Sequence, residues 1–231
     1  MKTYIWSLPT RLFHWLLAIG FTVAYILGDF DNLENWHFAF GALVGALIFF
    51  RLLFGLFGPK YSNFKDFPIA LKNQKEFIRS YFSKSKTYVG HNPVASVVML
   101  LILIIGILCS ISGYLLYAAE NNVLSSGINE GLLEESHEFL ANIFLVLVGI
   151  HLFGVLSDTL FHRKTGTIQS IFTGNKNIES KNIHLNGFHI TFSLLWFIIP
   201  AIVFYLAYGL QNNETKKENR IESREYHGDD D

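Results

Sequence analysis

The stretch His137–His151 reads HEFLANIFLVLVGIH: two histidines bracket thirteen residues, of which only Glu138 is charged. A separation of fourteen residues is almost four helical turns. Both imidazoles therefore fall on one face, about 21 Å apart along the axis. In an apolar helix this puts one histidine near each side of a hydrocarbon core about 30 Å thick. Ionisable side chains at such depths are costly and mark functional sites by default. Taken singly, each histidine reads as a core residue bonded to a neighbouring carbonyl. The pair asks for a functional partner at each level.

Composition supports a membrane setting. Of 231 residues, 51% are hydrophobic, 16% aromatic and only 16% charged, against a usual charged share of about 25%. The net charge of −1 gives no sign of a nucleic-acid partner. Cys109 is the single cysteine, which excludes a disulfide framework, a cysteine-based zinc site and an iron–sulfur cluster within the chain. No C-x-x-C-H is present, so any haem would be held non-covalently, as b-type.

Five apolar runs follow one another: 12–27, 37–57, 94–118, 137–161 and 188–210. Each except the first exceeds the span of about 20 residues that a bilayer needs. The first spans only if it begins before Pro9 or takes in interfacial residues. It resembles a signal peptide, but Arg11 and His14 intrude and no small-x-small cleavage site follows, so a retained helix is expected. Pro200 lies inside the fifth run, where it predicts a kink. The fold class expected is all-α: a four-helix membrane bundle over residues 1–176, then a fifth transmembrane helix within 177–210.

Lys and Arg in the connections set the orientation. The loop from Gly58 to Pro93 carries Lys60, Lys65, Lys72, Lys75, Arg79, Lys84 and Lys86, and the loop from His162 to Gly187 carries Arg163, Lys164, Lys176 and Lys181. The opposite connections, Gly28 to Trp36 and Ala119 to Ser136, contain neither Lys nor Arg. The expected N-terminus is cytoplasmic and the C-terminus periplasmic. Pro68 to Ser83 reads as an amphipathic helix on the cytoplasmic membrane surface, with Leu71, Phe77, Ile78, Tyr81 and Phe82 among basic residues. Residues 211–231 are polar and mixed in charge, and read as a disordered periplasmic tail.

This orientation sorts the histidines by depth. His14 opens the first run near the cytoplasmic face and His37 opens the second at the opposite face. The fourth run descends from His137 to His151. His14 and His151 share the cytoplasmic level, and His37 and His137 the outer one, each pair drawn from two different helices. Two six-coordinate, bis-histidine haems stacked across a bundle require that pattern. The iron would be ligated by His14/His151 and by His37/His137. With two imidazoles per iron no position stays open for oxygen, so such haems transfer electrons.

Arg51 follows His37 by fourteen residues and so shares its face at the cytoplasmic level. It could pair with a haem propionate or snorkel to the interface. Arg11 is a similar candidate, and His91 in GHNP could bond a propionate or cap a turn. Gly41 and Gly45, at i+4 and i+8 from His37, could admit a flat macrocycle or form a G-x-x-x-G helix contact. His162 is the rival of His151, eleven residues further on. Glu138 reads as an interfacial charge or a proton relay. Tyr114 and Tyr117 read as aromatic-belt residues or quinone contacts.

Several stretches are similar to one known family. Pro9-Thr10-Arg11-Leu12-Phe13-His14-Trp15-Leu16, FRLLFGLFGPKYSNF from Phe50, GHNPVASVVM from Gly90, SHEFLANIFLVLVGIH from Ser136 and SDTLFHRKTGTIQSIFTGNK from Ser157 occur in this order. Together they resemble the bacterial cytochrome b561 and nickel–iron hydrogenase cytochrome b subunit family over about residues 4 to 176. The resemblance implies a protein of the bacterial inner membrane with two b haems on His14, His37, His137 and His151. It implies electron transfer between membrane quinone and a periplasmic partner, either a c-type cytochrome or a hydrogenase. Whether the chain is the quinone-reactive subunit of an oxidoreductase, and whether it forms a homodimer, stay open.

A rival from another class is a haem-free, proton-coupled transporter with histidine relays. The depth-matched pairs argue against it, as does the lack of Asp, Glu or Lys deep in the first three runs. A purely structural anchor is a third reading, although one haem would suffice for that role.

Overall fold

The computed structural model describes residues 2–81, 88–121, 123, 129–162 and 165–228, with the backbone alone for 211–228. Phe82, Ser83, Lys84, Lys86, Arg163 and Lys164, which figured in the loop readings, lie outside the described residues. Seven helices are described: α1 (Leu8–Leu27), α2 (Glu34–Phe57), α3 (Leu71–Ser80), α4 (Pro93–Glu120), α5 (Glu130–Phe161), α6 (Thr167–Thr173) and α7 (Gly187–Gly228). Five of the described helices are long and apolar enough to cross a membrane, namely α1, α2, α4, α5 and α7 over Gly187–Leu210. The chain is an all-α, multi-pass membrane bundle.

Capping sets where these helices begin. Ser7 accepts from Thr10 N and Pro9 sits in the first turn, so α1 starts before the apolar run and reaches 20 residues. Asn92 accepts from Ala95 N at 2.8 Å ahead of Pro93, which opens α4. Asn129 accepts from Leu132 N, so α5 begins seven residues ahead of His137. Those residues include Glu130, Leu132, Leu133 and Glu134, all good helix formers.

α2 is the central helix, packed against α1, α4 and α7, while α4 packs on α5. Its core joins Val44, Leu47, Ile48 and Phe54 to Phe13, Leu103, Phe144 and Trp196. Small residues permit the close crossings that membrane helices rely on. A Cβ on Gly45 would lie 2.7 Å from Ser110 Cβ, and one on Gly106 would lie 2.5 Å from both Ile48 and Phe144. The far side of α5, with Val146, Phe153 and Leu156, is exposed, as suits contact with lipid. Trp196 of α7 is fully buried and donates from Nε1 to Leu47 O at 3.0 Å.

Two features depart from the sequence reading. The polar stretch after Leu210 continues α7 as helix through Gly228, where a disordered tail was expected. Its Glu, Lys, Gln and Arg residues are good helix formers, and the apolar span supplies the costly nucleus. A short antiparallel ladder also joins β1 (Thr3–Tyr4) to β2 (Asn175–Lys176). Gly174 precedes β2 at φ 80°, and a Cβ there would lie 2.7 Å from Trp6 O, so the turn requires glycine. The ladder anchors a cap of Ile5, Trp6, Tyr61 and Ile183 over one end of the bundle.

The helix expected within 68–83 is present as α3, which begins at Leu71, three residues after Pro68. Phe77 turns inward, while Leu71 and Ile78 are exposed.

Candidate functional site

Three helices carry the candidate side chains at a spacing of seven residues. α1 presents His14 and Phe21, α2 presents His37, Val44 and Arg51, and α5 presents His137, Phe144 and His151. Seven residues are nearly two helical turns, so each set lines one face and the helices meet in layers. One layer brings His14 and His151 together, with ring centres 6.3 Å apart and planes at 54°. The middle layer holds Phe21 against Phe144, 4.3 Å apart. The opposite layer brings His37 and His137 together at 5.9 Å, edge to face.

These spacings fit a metal held between each pair. Two metal–imidazole bonds of about 2 Å each, extended to the ring centres, give about 6 Å. His37 Nδ1 donates to Ala24 O at 2.8 Å. His137 Nδ1 lies 3.1 Å from Cys109 O and 3.1 Å from Ser112 Oγ. A carbonyl acceptor fixes the proton on Nδ1 and leaves Nε2 as the electron-pair donor, as metal-binding histidines are usually held. Gly28 and Gly113 pack against these two rings, where a Cβ would lie 3.3 Å from His37 and 2.9 Å from His137. In the other layer His14 Nδ1 is buried with no hydrogen-bond partner.

The charges of Arg51, Lys176 and His151 all bear on His91, so this end of the bundle is cationic. Arg51 is 2% exposed, its guanidinium stands 5.3 Å over the Phe64 ring, and its Nη1 is buried without a hydrogen bond. Snorkelling therefore does not describe it, for it points into the protein. Phe64 packs on Phe67 and Phe67 on His91, which also meets Trp6 at 4.8 Å. Burial, reinforced by Arg51, Lys176 and His151, holds His91 well below the usual imidazole range. Its Nδ1 has no partner. Lys176 Nζ donates to Val89 O and Gly90 O at 3.2 and 3.0 Å. Burial pushes its pKa down to about 8, with Asp158 acting in the opposite sense. Arg11 donates to Phe172 O, while its Nε is buried and unpaired.

Buried cations of this kind are costly unless an anion meets them, and among the described residues neither Arg51 nor Lys176 forms an ion pair. A dianionic group seated between the His14/His151 layer and Arg51 would relieve that cost. Haem supplies both the iron and the two carboxylates, so the residues fit the group.

The other candidates separate from the site. His162 faces Asp158 at 3.3 Å and the Tyr81 ring at 5.2 Å, not His14. Gly45 serves the α2–α4 crossing, and Gly41 faces open space. Glu138 and Tyr114 are exposed, whereas Tyr117 is buried and stacks on Phe38. His189 Nε2 lies 3.1 Å from Phe57 O and ties α7 to the end of α2. Lys176 and Trp6 were not singled out as site residues from the sequence, because only the β1–β2 ladder and its turn bring them to the site. Phe144 was not singled out either, although it is the midpoint of the His137–His151 spacing.

Comparison with known proteins identifies the family. Residues 5–174 match the family model of prokaryotic cytochrome b561. A probable Ni/Fe-hydrogenase B-type cytochrome subunit of Rhodobacter capsulatus is 23% identical over 222 residues, covering 79% of this chain and 84% of that protein. A protein of the same description from Azotobacter vinelandii is 25% identical over 143 residues, covering 50% of this chain and 59% of its own length. No solved structure matches the chain significantly. The match over residues 5–174 takes in α1, α2, α4 and α5 with all four histidines, and the chain belongs to the prokaryotic cytochrome b561 family.

Proposed function

We propose that the chain carries electrons across a bacterial inner membrane through two b haems, ligated by His14/His151 and by His37/His137. Membrane electron transfer with haem b follows from the family. The observation that carries the finer reading is the pair of histidine contacts, 6.3 and 5.9 Å, at two levels of α5. When bound, haem supplies a one-electron couple. His14 with His151, and His37 with His137, would hold it through two imidazoles each and leave no position for a further ligand. Arg51, with Arg11 and His91, offers donors to the propionates at one end. Phe21 and Phe144 fill the space between the two levels.

The partners we propose are the membrane quinone pool and a periplasmic redox protein. The descriptions of both relatives, as hydrogenase B-type cytochrome subunits, favour a nickel–iron hydrogenase over a c-type cytochrome. The distribution of Lys and Arg supports a cytoplasmic N-terminus. Electron transfer takes the place of the haem-free transporter.

A reduced-minus-oxidised visible spectrum, with haem quantified as the pyridine haemochrome, tests this on wild type and on alanine variants of the four histidines. Two haems per chain are expected, with losses grouped as His14/His151 and His37/His137. A folded, haem-free preparation would sink the reading.

A further inference from the structure

The two histidine layers sit in unlike electrostatic surroundings. Arg51 is buried with an unpaired Nη1, and its charge, with those of Lys176 and His151, bears on His91 at the same end of the bundle. Lys176, also buried, fastens the Val89–Gly90 backbone that carries His91. Asp158 is the carboxylate whose charge reaches Lys176, and it stands in contact with His162 at 3.3 Å. The positive charge is thus poorly balanced by the protein itself. A buried cation favours the more reduced, less positive state of a nearby metal centre, because screening by water is removed.

The His37/His137 layer has the opposite bias. Both rings are held through Nδ1 by backbone carbonyls, Ala24 O and Cys109 O. A carbonyl drawing on Nδ1–H makes the other nitrogen a stronger donor, which favours the oxidised metal. His14 Nδ1 has no such partner. Charge and hydrogen bonding, two separate levers on a haem potential, therefore point the same way.

Resting on the di-haem reading above, we propose that Arg51 and Lys176 make the His14/His151 site the higher-potential of the two haem sites. Haem bound at both sites would supply one-electron couples, and the buried charges of Arg51 and Lys176 would favour reduction at the His14/His151 site over the His37/His137 site. Arg51 acts here as a positioning and charge-setting group, not as a ligand.

The test is a potentiometric titration of the visible spectrum of the full-length, haem-loaded protein, with haem content measured alongside. Wild type should titrate as two one-electron components of unequal potential. Arg51→Gln should lower the higher component by at least a tenfold change in its reduction equilibrium, about 59 mV for one electron, and leave the lower one in place. Arg51→Lys should retain most of the wild-type value, which a purely structural role would not predict. Lys176→Gln keeps a donor for the Val89 and Gly90 carbonyls and removes the charge. It should shift the same component downward by a smaller step, and it decides the matter if Arg51→Gln loses haem. Two haems with coincident potentials in wild type, an unmoved higher component in the variants, or a shift of the lower one would overturn this proposal alone. A folded protein without haem would overturn the functional reading, and this proposal with it.

Discussion

The rings of Phe21 and Phe144 meet with centres 4.3 Å apart at the level between the two histidine pairs. Each follows a histidine by seven residues on its own helix, Phe21 after His14 and Phe144 after His137. Phe144 also nests against Gly106 of α4 and is 2% exposed. Truncation would open a cavity that the stiff helices around it cannot close. Phe144→Ala should cost about 3–5 kcal/mol, read as a lower thermal midpoint in detergent. If the midpoint holds, the middle layer is not a packed core.

Gly45 and Ser110 set the approach of α2 to α4. A Cβ at Gly45 would lie 2.7 Å from Ser110 Cβ and 2.9 Å from its Oγ, and Ser110 is too short to swing away. Gly45→Ala should destabilise by about 1–3 kcal/mol through overpacking. Ser110→Gly in the same chain should restore part of that loss, and the double-mutant cycle measures the coupling. Purely additive effects would mean that the two helices do not cross at this point.

What the sequence could disclose depended on whether the signal was local. The spacing from His137 to His151 sits in one helix, so the 3.6-residue period placed each ring beside a histidine of matching depth. The same period put Arg51 at the His14 level, and its inward direction came only from the packing on Phe64. Helix starts at Leu8 and Glu130 were missed because caps at Ser7 and Asn129 lie outside the apolar runs. Lys176 reads as one more basic loop residue until the β1–β2 ladder, joining segments about 170 residues apart in sequence, folds it inward. No periodicity carries such a contact. The continuation of α7 beyond Leu210 was hidden for a different reason: a polar composition suits a solvated helix and a disordered tail alike.

Lys176 also predicts a pH dependence. Burial lowers its pKa from 10.5 to about 8, so the unfolded chain binds more protons than the folded one between those values. Stability of the apo protein is then full above 10.5, and is lost as pH falls toward about 8. A series of thermal melts across that window should show the midpoint rising with pH, and Lys176→Gln should flatten the rise. In the haem-loaded protein a propionate offsets the buried charge, and the rise should shrink. An apo protein whose midpoint ignores Lys176→Gln would place the ammonium in water.

The fifth membrane helix packs on α2. Trp196 is buried against Phe13 and Phe54, with ring centres 5.1 and 5.0 Å away, and donates to Leu47 O on α2. Trp196→Phe keeps most of the apolar contact and removes the hydrogen bond, a net loss of about 0.5–1.5 kcal/mol. Trp196→Ala opens a cavity beside α2 and should cost about 3–5 kcal/mol. Since the four paired histidines lie on α1, α2 and α5, both variants should keep two haems per chain when folded at low temperature, while their thermal midpoints fall in that order. Haem loss from Trp196→Phe without a fall in midpoint would mean that α7 takes part in the haem site itself, because the substitution leaves the packed ring in place and touches no histidine.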